Sequence, residues 1–295
     1  MTVAEAAARI RAGELVAFPT ETVYGLGANA LDATAVAKIY AAKGRPSTSP
    51  LIVHVCSMEM VRSVVRDWPE VAQRLAEKHW PGPLTMVLPK ADCIPDAVTA
   101  GLSTVGVRMP RHPIALELIR EAGVPIAAPS ANRFTGLSPT TAQHVRDAFG
   151  DAIPVLEGGA SEVGLESTVV TFEGAAVRVL RPGMLTQEDF VAWEGSTSEA
   201  HPSPGMHERH YSPRTPLYLI EAGTSLPDGH GAVISYTGGG TVQMPKGAPA
   251  YAARLYDVLH SLDRDRYDWI AVELPPRGPE WEAIHDRLRR ARSKG

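Results

Sequence analysis

The sequence predicts an α/β fold in two units of unequal size, joined by a linker. Over roughly the first 185 residues, short β-rich runs alternate with amphipathic stretches, a pattern typical of an α/β or α+β domain. Residues 195–216 are dense in Ser, Pro, His and Gly, which indicates a linker. Over about the last 80 residues strands and helices alternate again, which favours a small parallel α/β domain. We therefore predict one domain over 1–190, a linker over 191–215 and a second domain over 216–295.

The first unit is predicted to contain strands separated by at least two helices. Asp32 is the expected N-cap of a helix that runs to residue 42, and Gly44 is its expected C-terminal stop. Ser138 followed by Pro139 predicts the N-cap and first residue of another helix, which runs toward residue 149. The predicted strands are 15–18, 51–55, 84–88, 105–108, 125–128, 169–172 and 176–180.

The second unit is predicted to alternate strands with helices in the same way. Its strands lie in the segments PLYLIEAG, GAVISYTGGG and WIAVELP. A helix is expected over about 251–262, and a basic helix is expected from Pro279 onward.

Composition excludes several classes of protein. The chain has 295 residues, of which 44% are apolar, and its net charge of -4 argues against a protein that coats nucleic acid. Cys56 and Cys93 have neither zinc-site spacing nor the density of a disulfide scaffold. The N-terminal residues lack the apolar core of a signal peptide, and no run approaches the length of a membrane span. We expect a cytoplasmic protein without a membrane partner.

One cluster of polar residues follows the first predicted helix, in KGRPSTSPLIVHV. Lys43 and Arg45, close to the hydroxyl of Ser49, have the charge and the donors to hold a polyphosphate. Taken alone, both cations fit a solvated turn better, because Lys and Arg are mostly exposed. His54 lies inside an apolar run, where a lone histidine is more often a satisfied core residue.

Further polar groups stand at the ends of predicted strands, where open α/β sheets collect ligands. Turn chemistry explains some of them equally well. No Walker motif and no GxSxG motif is present, and HERH at 207–210 lacks a third ligand, so no metal site is predicted. These strand-end residues are Thr104, Arg108, Arg111, Ser130, Asn132, Ser138, Ser167, Thr168, Arg178 and Arg181.

Together these segments resemble one family, the YrdC-like L-threonylcarbamoyladenylate synthases in their long, two-domain Sua-type form. The resemblance covers nearly the whole chain and is weakest in the C-terminal unit. It implies a YrdC-like α/β domain with a twisted mixed sheet, followed by a smaller Rossmann-like α/β domain. The motifs that carry it are PTETVYGLG, KGRPSTSPLIVHV, WPGPLT, TVGVRMPRHP, APSAN, GLSPT, GLESTVV, LRPG and PGMHERHYSP.

The resemblance implies an enzyme, a nucleotidyltransferase that condenses L-threonine, bicarbonate and ATP, with Mg²⁺, into threonylcarbamoyl-AMP and pyrophosphate. The product feeds the t⁶A modification of tRNA, so tRNA is an indirect partner and tRNA threonylcarbamoyltransferase proteins act downstream. The linker segment PGMHERHYSP is expected to act as a flap over the site, with Glu208 where the family more often has an aromatic or cationic residue.

The same resemblance assigns residues to the substrates. Lys43 and Arg45 are the expected catalytic residues. Those expected to bind threonine are Thr22, His54, Arg108, Ala128 and Ser167. Those expected to bind ATP are Lys43, Arg45, Ser49, Thr104, Ser130, Asn132, Ser138, Arg181, His210 and Tyr211.

Three other functions stay open from the residues. Carbamoyl adenylation of the hydrogenase-maturation type shares the YrdC-like domain but predicts zinc-finger cysteines and a longer chain. An RNA-binding module would use Lys43, Arg45, Arg108, Arg111 and Arg181 on a concave surface. A nucleotide-sensing protein would bind ATP without threonine-dependent turnover.

Overall fold

The computed structural model describes residues 1–186, 190, 211–221, 224 and 226–293. Most of the predicted linker, 191–210, lies outside these ranges. The helices are α1 Val3–Arg11, α2 Ala33–Lys43, α3 Met58–Val64, α4 Glu70–His79, α5 Asp96–Thr99, α6 Pro113–Ala122, α7 Ala142–Phe149, α8 Ala248–Arg264 and α9 Glu282–Ala291. The strands are β1 Val16–Phe18, β2 Gly25–Asn29, β3 Ile52–His54, β4 Leu84–Pro89, β5 Thr104–Arg108, β6 Ile126–Ala127, β7 Thr168–Glu173, β8 Ala176–Arg181, β9 Leu217–Ile220, β10 Gly231–Ser235, β11 Val242–Gln243 and β12 Trp269–Glu273.

The first unit is a mixed sheet of eight strands in the order β1-β2-β6-β3-β5-β4-β7-β8. β3 pairs with β5 in parallel, and so does β4 with β7, whereas the other neighbours are antiparallel. In the parallel pair His54 stands opposite Arg108 and Ile52 opposite Gly106. Because side chains alternate between the faces of a sheet, these four residues share one face.

The two faces of the large sheet are covered differently. One face carries the largest apolar core, in which Val53 of β3 and Val107 of β5 are buried together with residues of α2, α3, α4, α5 and α7. The opposite face is covered by α1 and α6 only over β1, β2 and β6, in a smaller core that includes Phe18 and Ile126. The rest of that face, over β3, β5, β4 and β7, is where the cavities described below open.

The second unit is a parallel sheet of four strands in the order β11-β10-β12-β9. Its core combines α8, α9 and the sheet with residues from the first unit, among them Leu137 and Leu165. At Gly164, with a φ of +74°, a Cβ atom would lie 2.5 Å from the Cα of Ala253 in α8. The two units are therefore in direct backbone contact at the segment that precedes β7.

The predicted fold class is confirmed, and so are most of the predicted elements. Asp32 caps α2 through hydrogen bonds from the amides of Thr34 and Ala35, and Gly44 ends the helix in the left-handed conformation. The predicted strands of the first unit all form, with ends shifted by one residue or two. In the second unit β9, β10, β12 and α8 form where they were expected, and α9 begins a few residues after Pro279.

One expectation about the first unit is wrong, and one of its strands was not predicted. The helix expected from Ser138 begins only at Ala142, because Thr141 supplies the N-cap and Ser138 points its hydroxyl at Glu166 instead. The strand that was not predicted is β2, whose sequence is GLGAN. A Cβ atom at Gly27 would lie 2.9 Å from the Phe18 ring and from Ile126, so this strand uses glycine to let its neighbours pack closely.

In the part of the chain that the structure describes, no helix is long and apolar enough to cross a membrane.

Candidate functional site

A pocket opens on the uncovered face of the large sheet, beside the carboxyl ends of β3 and β5. The turn between β1 and β2, the segment after β6, the start of β7 and the end of β8 complete its wall, and Tyr211 lies on the side of the second unit. The residues that line it are Thr20, Thr22, Val23, Gly25, Arg45, Leu51, Ile52, His54, Arg108, Ala128, Pro129, Ser130, Glu166, Ser167, Arg181 and Tyr211.

The turn between β1 and β2 presents Thr22 to the pocket. Thr20 stabilises this turn, since its hydroxyl donates to the carbonyl of Val23 at 2.6 Å and accepts from the Val23 amide. Thr22 Oγ1 lies 2.9 Å from the Thr20 hydroxyl and accepts from Arg108 Nη1 at 2.8 Å. The threonine hydroxyl is therefore fixed against a guanidinium group.

Arg108 is buried and is held from three directions. Its Nε donates to the carbonyl of Gly82, Nη1 donates to Thr22, and Nη2 lies 2.8 Å from Glu21 Oε1 in an ion pair. Glu21 and Arg108 are both less than 5% exposed. A buried cation of this kind is stabilised by its carboxylate and still has N–H groups for a ligand at the pocket.

His54 lies next to Arg108 and is uncharged at neutral pH. Burial, reinforced by the charge of Arg108, lowers the pKa of His54 to about 3. Its ring meets the edge of Phe18 with centroids 5.9 Å apart, and its Nδ1 atom has no hydrogen-bond partner among the described residues. The neutral ring of His54 can thus donate or accept a hydrogen bond with a polar ligand without adding charge to the pocket.

Arg45 follows the end of α2 and turns back into the pocket. Its Nη2 donates to Ser49 Oγ at 2.6 Å and to the carbonyl of Pro50 at 3.1 Å. Its Nε is buried and has no partner within the described ranges. Since an unsatisfied buried donor is costly, this guanidinium is suited to an anionic ligand.

Lys43 lies behind the pocket wall and orders the segment after β6. Its ammonium donates to the carbonyl oxygens of Ser130 and Asn132, at 2.6 and 2.5 Å. Burial, with Arg45 nearby, lowers the pKa of Lys43 well below its ordinary value. Asn132 in turn donates through Nδ2 to the carbonyls of Arg133 and Gly136. Lys43 therefore fixes the loop that presents Ser130.

Another part of the wall is made by Ser167, Arg181 and Glu166. Arg181 donates to the carbonyl oxygen of Ser167 at 2.9 Å and to its hydroxyl at 3.1 Å. Glu166 accepts hydrogen bonds from Ser138 and Tyr256 and from Arg287 of α9. Burial raises the pKa of Glu166, but Arg287 and Arg181 outweigh this and hold it below the ordinary value. Glu166 is thus ionised at neutral pH.

A second cavity continues along the same face of the sheet. It is lined by side chains of β5, β4, β7 and β8, including Thr104, Val87 and Thr171, and it shares Leu51 and Ile52 with the first pocket. The two cavities are also joined where the Thr85 hydroxyl lies 2.8 Å from that of Ser167. This surface is more apolar than the first pocket and offers isolated hydroxyl groups.

Comparison with known proteins gives the family of the chain. Residues 8–183 match the family described as "Telomere recombination", and residues 175–293 match "Threonylcarbamoyl-AMP synthase, C-terminal domain". The chain belongs to the two-domain threonylcarbamoyl-AMP synthase family. Members from Bacillus subtilis and Pyrococcus abyssi, both named threonylcarbamoyl-AMP synthase, are 42% and 47% identical to it. These matches cover 98% of this chain and 92% of the Bacillus protein, and 73% of this chain and 67% of the Pyrococcus protein.

A solved structure of the family has the same architecture. The crystal structure of P. abyssi Sua5 complexed with L-threonine superposes with a TM-score of 0.89 at 38% identity, over 98% of this chain and 93% of that one. The family resemblance seen in the sequence is thereby confirmed across both units.

The structure brings many of the residues predicted for this family to one pocket. Ser49 adjoins it through Arg45, whereas Lys43, Asn132 and Ser138 lie behind its wall. Thr104 lines the second cavity. His210 and Glu208, with the rest of the predicted flap up to residue 210, lie outside the described residues. The predicted residues that line the first pocket are Thr22, Arg45, His54, Arg108, Ala128, Ser130, Ser167, Arg181 and Tyr211.

The burial of the cations bears on two alternatives from the sequence analysis: a solvated turn at Lys43 and Arg45, and an RNA-binding surface. Lys43 and Arg45 are 3% and 7% exposed, so the solvated-turn interpretation is wrong. Arg108 and Arg181 are equally buried, and Arg111, which is exposed, is paired with Glu162. An RNA backbone needs an accessible row of cations, which these residues do not form.

The sequence analysis missed Glu166, Tyr256 and Arg287. In addition, no group of three or more His, Cys, Asp or Glu side chains within the described residues has a geometry that would hold a metal ion.

Proposed function

We propose that this chain makes threonylcarbamoyl-AMP and pyrophosphate from L-threonine, bicarbonate and ATP. Membership of the threonylcarbamoyl-AMP synthase family makes it an enzyme of nucleotidyltransferase type. One observation of the site supports the substrates most strongly. The guanidinium groups of Arg45, Arg108 and Arg181 all face one pocket, and the substrates are all anions or carry a carboxylate.

In this proposal threonine occupies the end of the pocket near Thr22, His54 and Arg108. Arg108 pairs with the threonine carboxylate, since a guanidinium and a carboxylate can form two parallel hydrogen bonds. The neutral His54 accepts or donates a hydrogen bond at the threonine hydroxyl or amine. Ala128 and Ser167 close this end, and the small side chain of Ala128 leaves space for the substrate methyl group.

ATP is proposed to occupy the other end and to continue onto the second cavity. Arg45, Ser49, Ser130 and Arg181 would contact the phosphates, and the apolar surface beside Thr104 would take the nucleoside. Tyr211 and His210 are assigned to the nucleotide side. Lys43, Asn132 and Ser138 act from behind the wall, where Lys43 fixes the loop that presents Ser130. Mg²⁺ enters as part of the MgATP substrate.

The proposed reaction depends on the positioning of the substrates and on charge neutralisation rather than on a protein nucleophile. The uncharged threonine amine attacks the carbon of bicarbonate, the C–OH bond breaks, and the hydroxide leaves as water with a proton from the amine, so that N-carboxythreonine forms. One of its carbamate oxygens then attacks the α-phosphorus of ATP, the bond to the β-phosphate bridging oxygen breaks, and pyrophosphate leaves. Buried guanidinium groups stabilise the charge that moves onto the phosphates. The enclosed pocket limits access of water to the carbamate, which loses CO₂ readily.

The biological setting forms part of the same proposal. The product would feed t⁶A modification of tRNA through threonylcarbamoyltransferase proteins, so tRNA is met only indirectly. A cytoplasmic location fits two unpaired cysteines. The hydrogenase-maturation alternative is disfavoured, because residues 175–293 match the C-terminal domain of the synthases and the chain has only two cysteines.

The proposal is tested by identifying the product. Purified protein is incubated with MgATP, threonine and ¹³C-bicarbonate, and the nucleotides are analysed by mass spectrometry. We expect an AMP conjugate that carries the label and the mass of threonine. ATP turnover without incorporation of the label, or the same product yield with serine or alanine as with threonine, would contradict the assignment.

A further inference from the structure

A buried ionic cluster joins the last helix of the chain to the wall of the substrate pocket. Its centre is Glu166, which lines the pocket. Arg287 Nε of α9 donates to Glu166 Oε2 at 2.7 Å, and Ser138 Oγ donates to Oε1 at 2.5 Å. The Tyr256 hydroxyl of α8 lies 3.3 Å from Oε2. Two of these three partners therefore come from the second unit.

Arg287 contacts three separate parts of the pocket wall. Besides Glu166, its Nη1 donates at 3.0 Å to the carbonyl of Pro182, the residue after Arg181. Its guanidinium also lies over the ring of Tyr211, 5.2 Å from the centroid. Asp286 accepts a further hydrogen bond from Nη1 at 2.7 Å. Arg287 is 1% exposed, so all of these contacts are shielded from water.

The segment that carries Glu166 is held by packing as well as by charge. Gly164 lies directly against the backbone of α8, and the adjacent Leu165 belongs to the apolar core of the second unit. Ser167 follows at once and accepts hydrogen bonds from Arg181 at its carbonyl oxygen and at its hydroxyl. The segment 164–167 therefore connects the second unit to the substrate-facing hydroxyl of Ser167.

Removal of one partner from a buried ion pair leaves the other charge uncompensated. Without Arg287, the Glu166 carboxylate would have Arg181 as its next cation, and Arg181 also faces the pocket. An arginine that turns toward Glu166 is withdrawn from an anionic substrate. Arg287 thus has two effects at once: it orders the wall and it keeps Glu166 from competing with the ligand.

We propose that Arg287 is a positioning residue for the substrate pocket and that the second unit is, through it, part of the active site. It fixes Glu166, the backbone next to Arg181 and the ring of Tyr211 in one arrangement. The identity of the substrates in this statement rests on the proposed function, whereas the ordering of the wall does not depend on it.

Four variants test the proposal. Arg287→Met leaves Glu166 unpaired, Arg287→Lys keeps a charge but loses the planar fork, and Arg287→Met with Glu166→Gln removes both charges. Arg289→Met, on the exposed side of the same helix, is the matched control. The single Arg287→Met change should lower the Tm by roughly 10 °C, and the double variant should recover most of that loss.

The decisive readout is the kinetics of the double variant, because its restored stability means that a lower rate is not caused by unfolding. We expect kcat/KM for pyrophosphate release to fall by at least about tenfold in it, mainly through higher KM values for ATP and threonine. Arg287→Lys should be intermediate and Arg289→Met unchanged. Wild-type kinetic constants in a stable double variant would overturn the proposal and leave Arg287 a purely structural role.

Hydrogen exchange separates this proposal from the proposed function, since it needs no substrate. In the double variant, amides of 165–168 and 181–184 should exchange at least about tenfold faster than in the wild type, while those of β10 and β12 stay protected. Wild-type exchange rates at 165–168 would contradict the positioning role. If the wild type shows no threonine-dependent turnover but these amides respond as expected, the proposed function fails and the positioning role stands.

Discussion

Two buried arginine–glutamate pairs flank the pocket, and they are built in opposite senses. In the pair of Arg108 and Glu21 the arginine lines the pocket and the carboxylate lies behind it. In the pair of Arg287 and Glu166 the carboxylate lines the pocket and the arginine lies behind it. The nitrogen–oxygen distances are nearly equal, at 2.8 and 2.7 Å.

The difference shows which part of the fold builds each end of the site. Arg108 and Glu21 both belong to the large sheet and its first turn, so the first unit builds this ion pair by itself. Glu166 and Arg287 are 121 residues apart and join the two units. The part of the pocket around Arg108 should thus depend on the first unit, and the part around Glu166 and Ser167 on both units.

The largest effect on substrate use is expected at Arg108, which tests the contrast between the two ion pairs most directly. Arg108→Ala should lower kcat/KM for threonine by about 100- to 1,000-fold, because a charged donor to the substrate is lost and Glu21 is left unpaired. Glu21→Gln should cost less, since the arginine that meets the substrate remains. Calorimetric threonine binding and steady-state kinetics check both, with Arg111→Ala as the exposed control. Equal losses for Arg108→Ala and Glu21→Gln would contradict the assigned orientation.

A smaller and more selective effect is expected at Arg45. Arg45→Ala should raise the KM for ATP by about 10- to 100-fold, because one charge-assisted contact to a phosphate is lost. The KM for threonine should change far less. Titration of each substrate at saturation of the others measures the two constants. The division of the pocket into a threonine end and an ATP end is refuted if both constants rise by the same factor.

The junction of the two units also contains a stacked histidine pair that makes its stability depend on pH. His144 and His260 lie with ring centroids 3.9 Å apart, and burial lowers the pKa of each to about 4. Asp257 lies 3.5 Å from His144, and the carbonyl of Ser138 lies 3.1 Å from His260. Each histidine is therefore neutral in the folded protein over a range where the unfolded chain binds a proton.

The direction of the pH dependence of stability follows from these lowered pKa values. Between the ordinary value of 6.5 and about 4 the unfolded state binds more protons, so the free energy of unfolding falls as the pH falls. His260→Phe keeps an aromatic ring and should reduce that fall by about 2 kcal/mol. Denaturant unfolding of both proteins at pH 7 and pH 4.5 measures it. An identical pH dependence in the variant would count against this reading of the junction.

The smallest effect is expected on the open face of the sheet. Thr104→Val removes one hydroxyl from the second cavity and should raise the KM for ATP by about two- to tenfold. Threonine binding should be unaffected. Because the change is nearly isosteric, the Tm serves as the control. An effect on threonine binding instead would place Thr104 at the other end of the site.

Much of the fold follows from local sequence signals. Asp32 has a side chain that caps the start of α2, and Gly44 adopts the left-handed conformation that ends it. Both helix ends were predicted. Ser138 misled the prediction because a serine before a proline has the pattern of an N-cap, whereas here its hydroxyl donates to Glu166, 28 residues further along the same unit. A local pattern does not reveal a distant partner that competes for the same hydroxyl.

The site was predictable where a motif is continuous and was missed where it is assembled across the chain. His54 and Arg108 end neighbouring parallel strands, so their proximity follows from the topology. Arg287 has no such motif, but one signal was present. It lies on the same face of α9 as Ile284, Leu288 and Ala291, and a cation in an apolar stripe needs a buried partner. The position of that partner, Glu166, required the structure.

The most direct test of the account is pyrophosphate release by the purified protein with MgATP, with threonine and bicarbonate omitted one at a time. We predict that release requires both, because the carbamate that attacks ATP contains atoms of each. Release that continues at the same rate without threonine would contradict the assignment of Arg108, Thr22 and His54 to a threonine substrate.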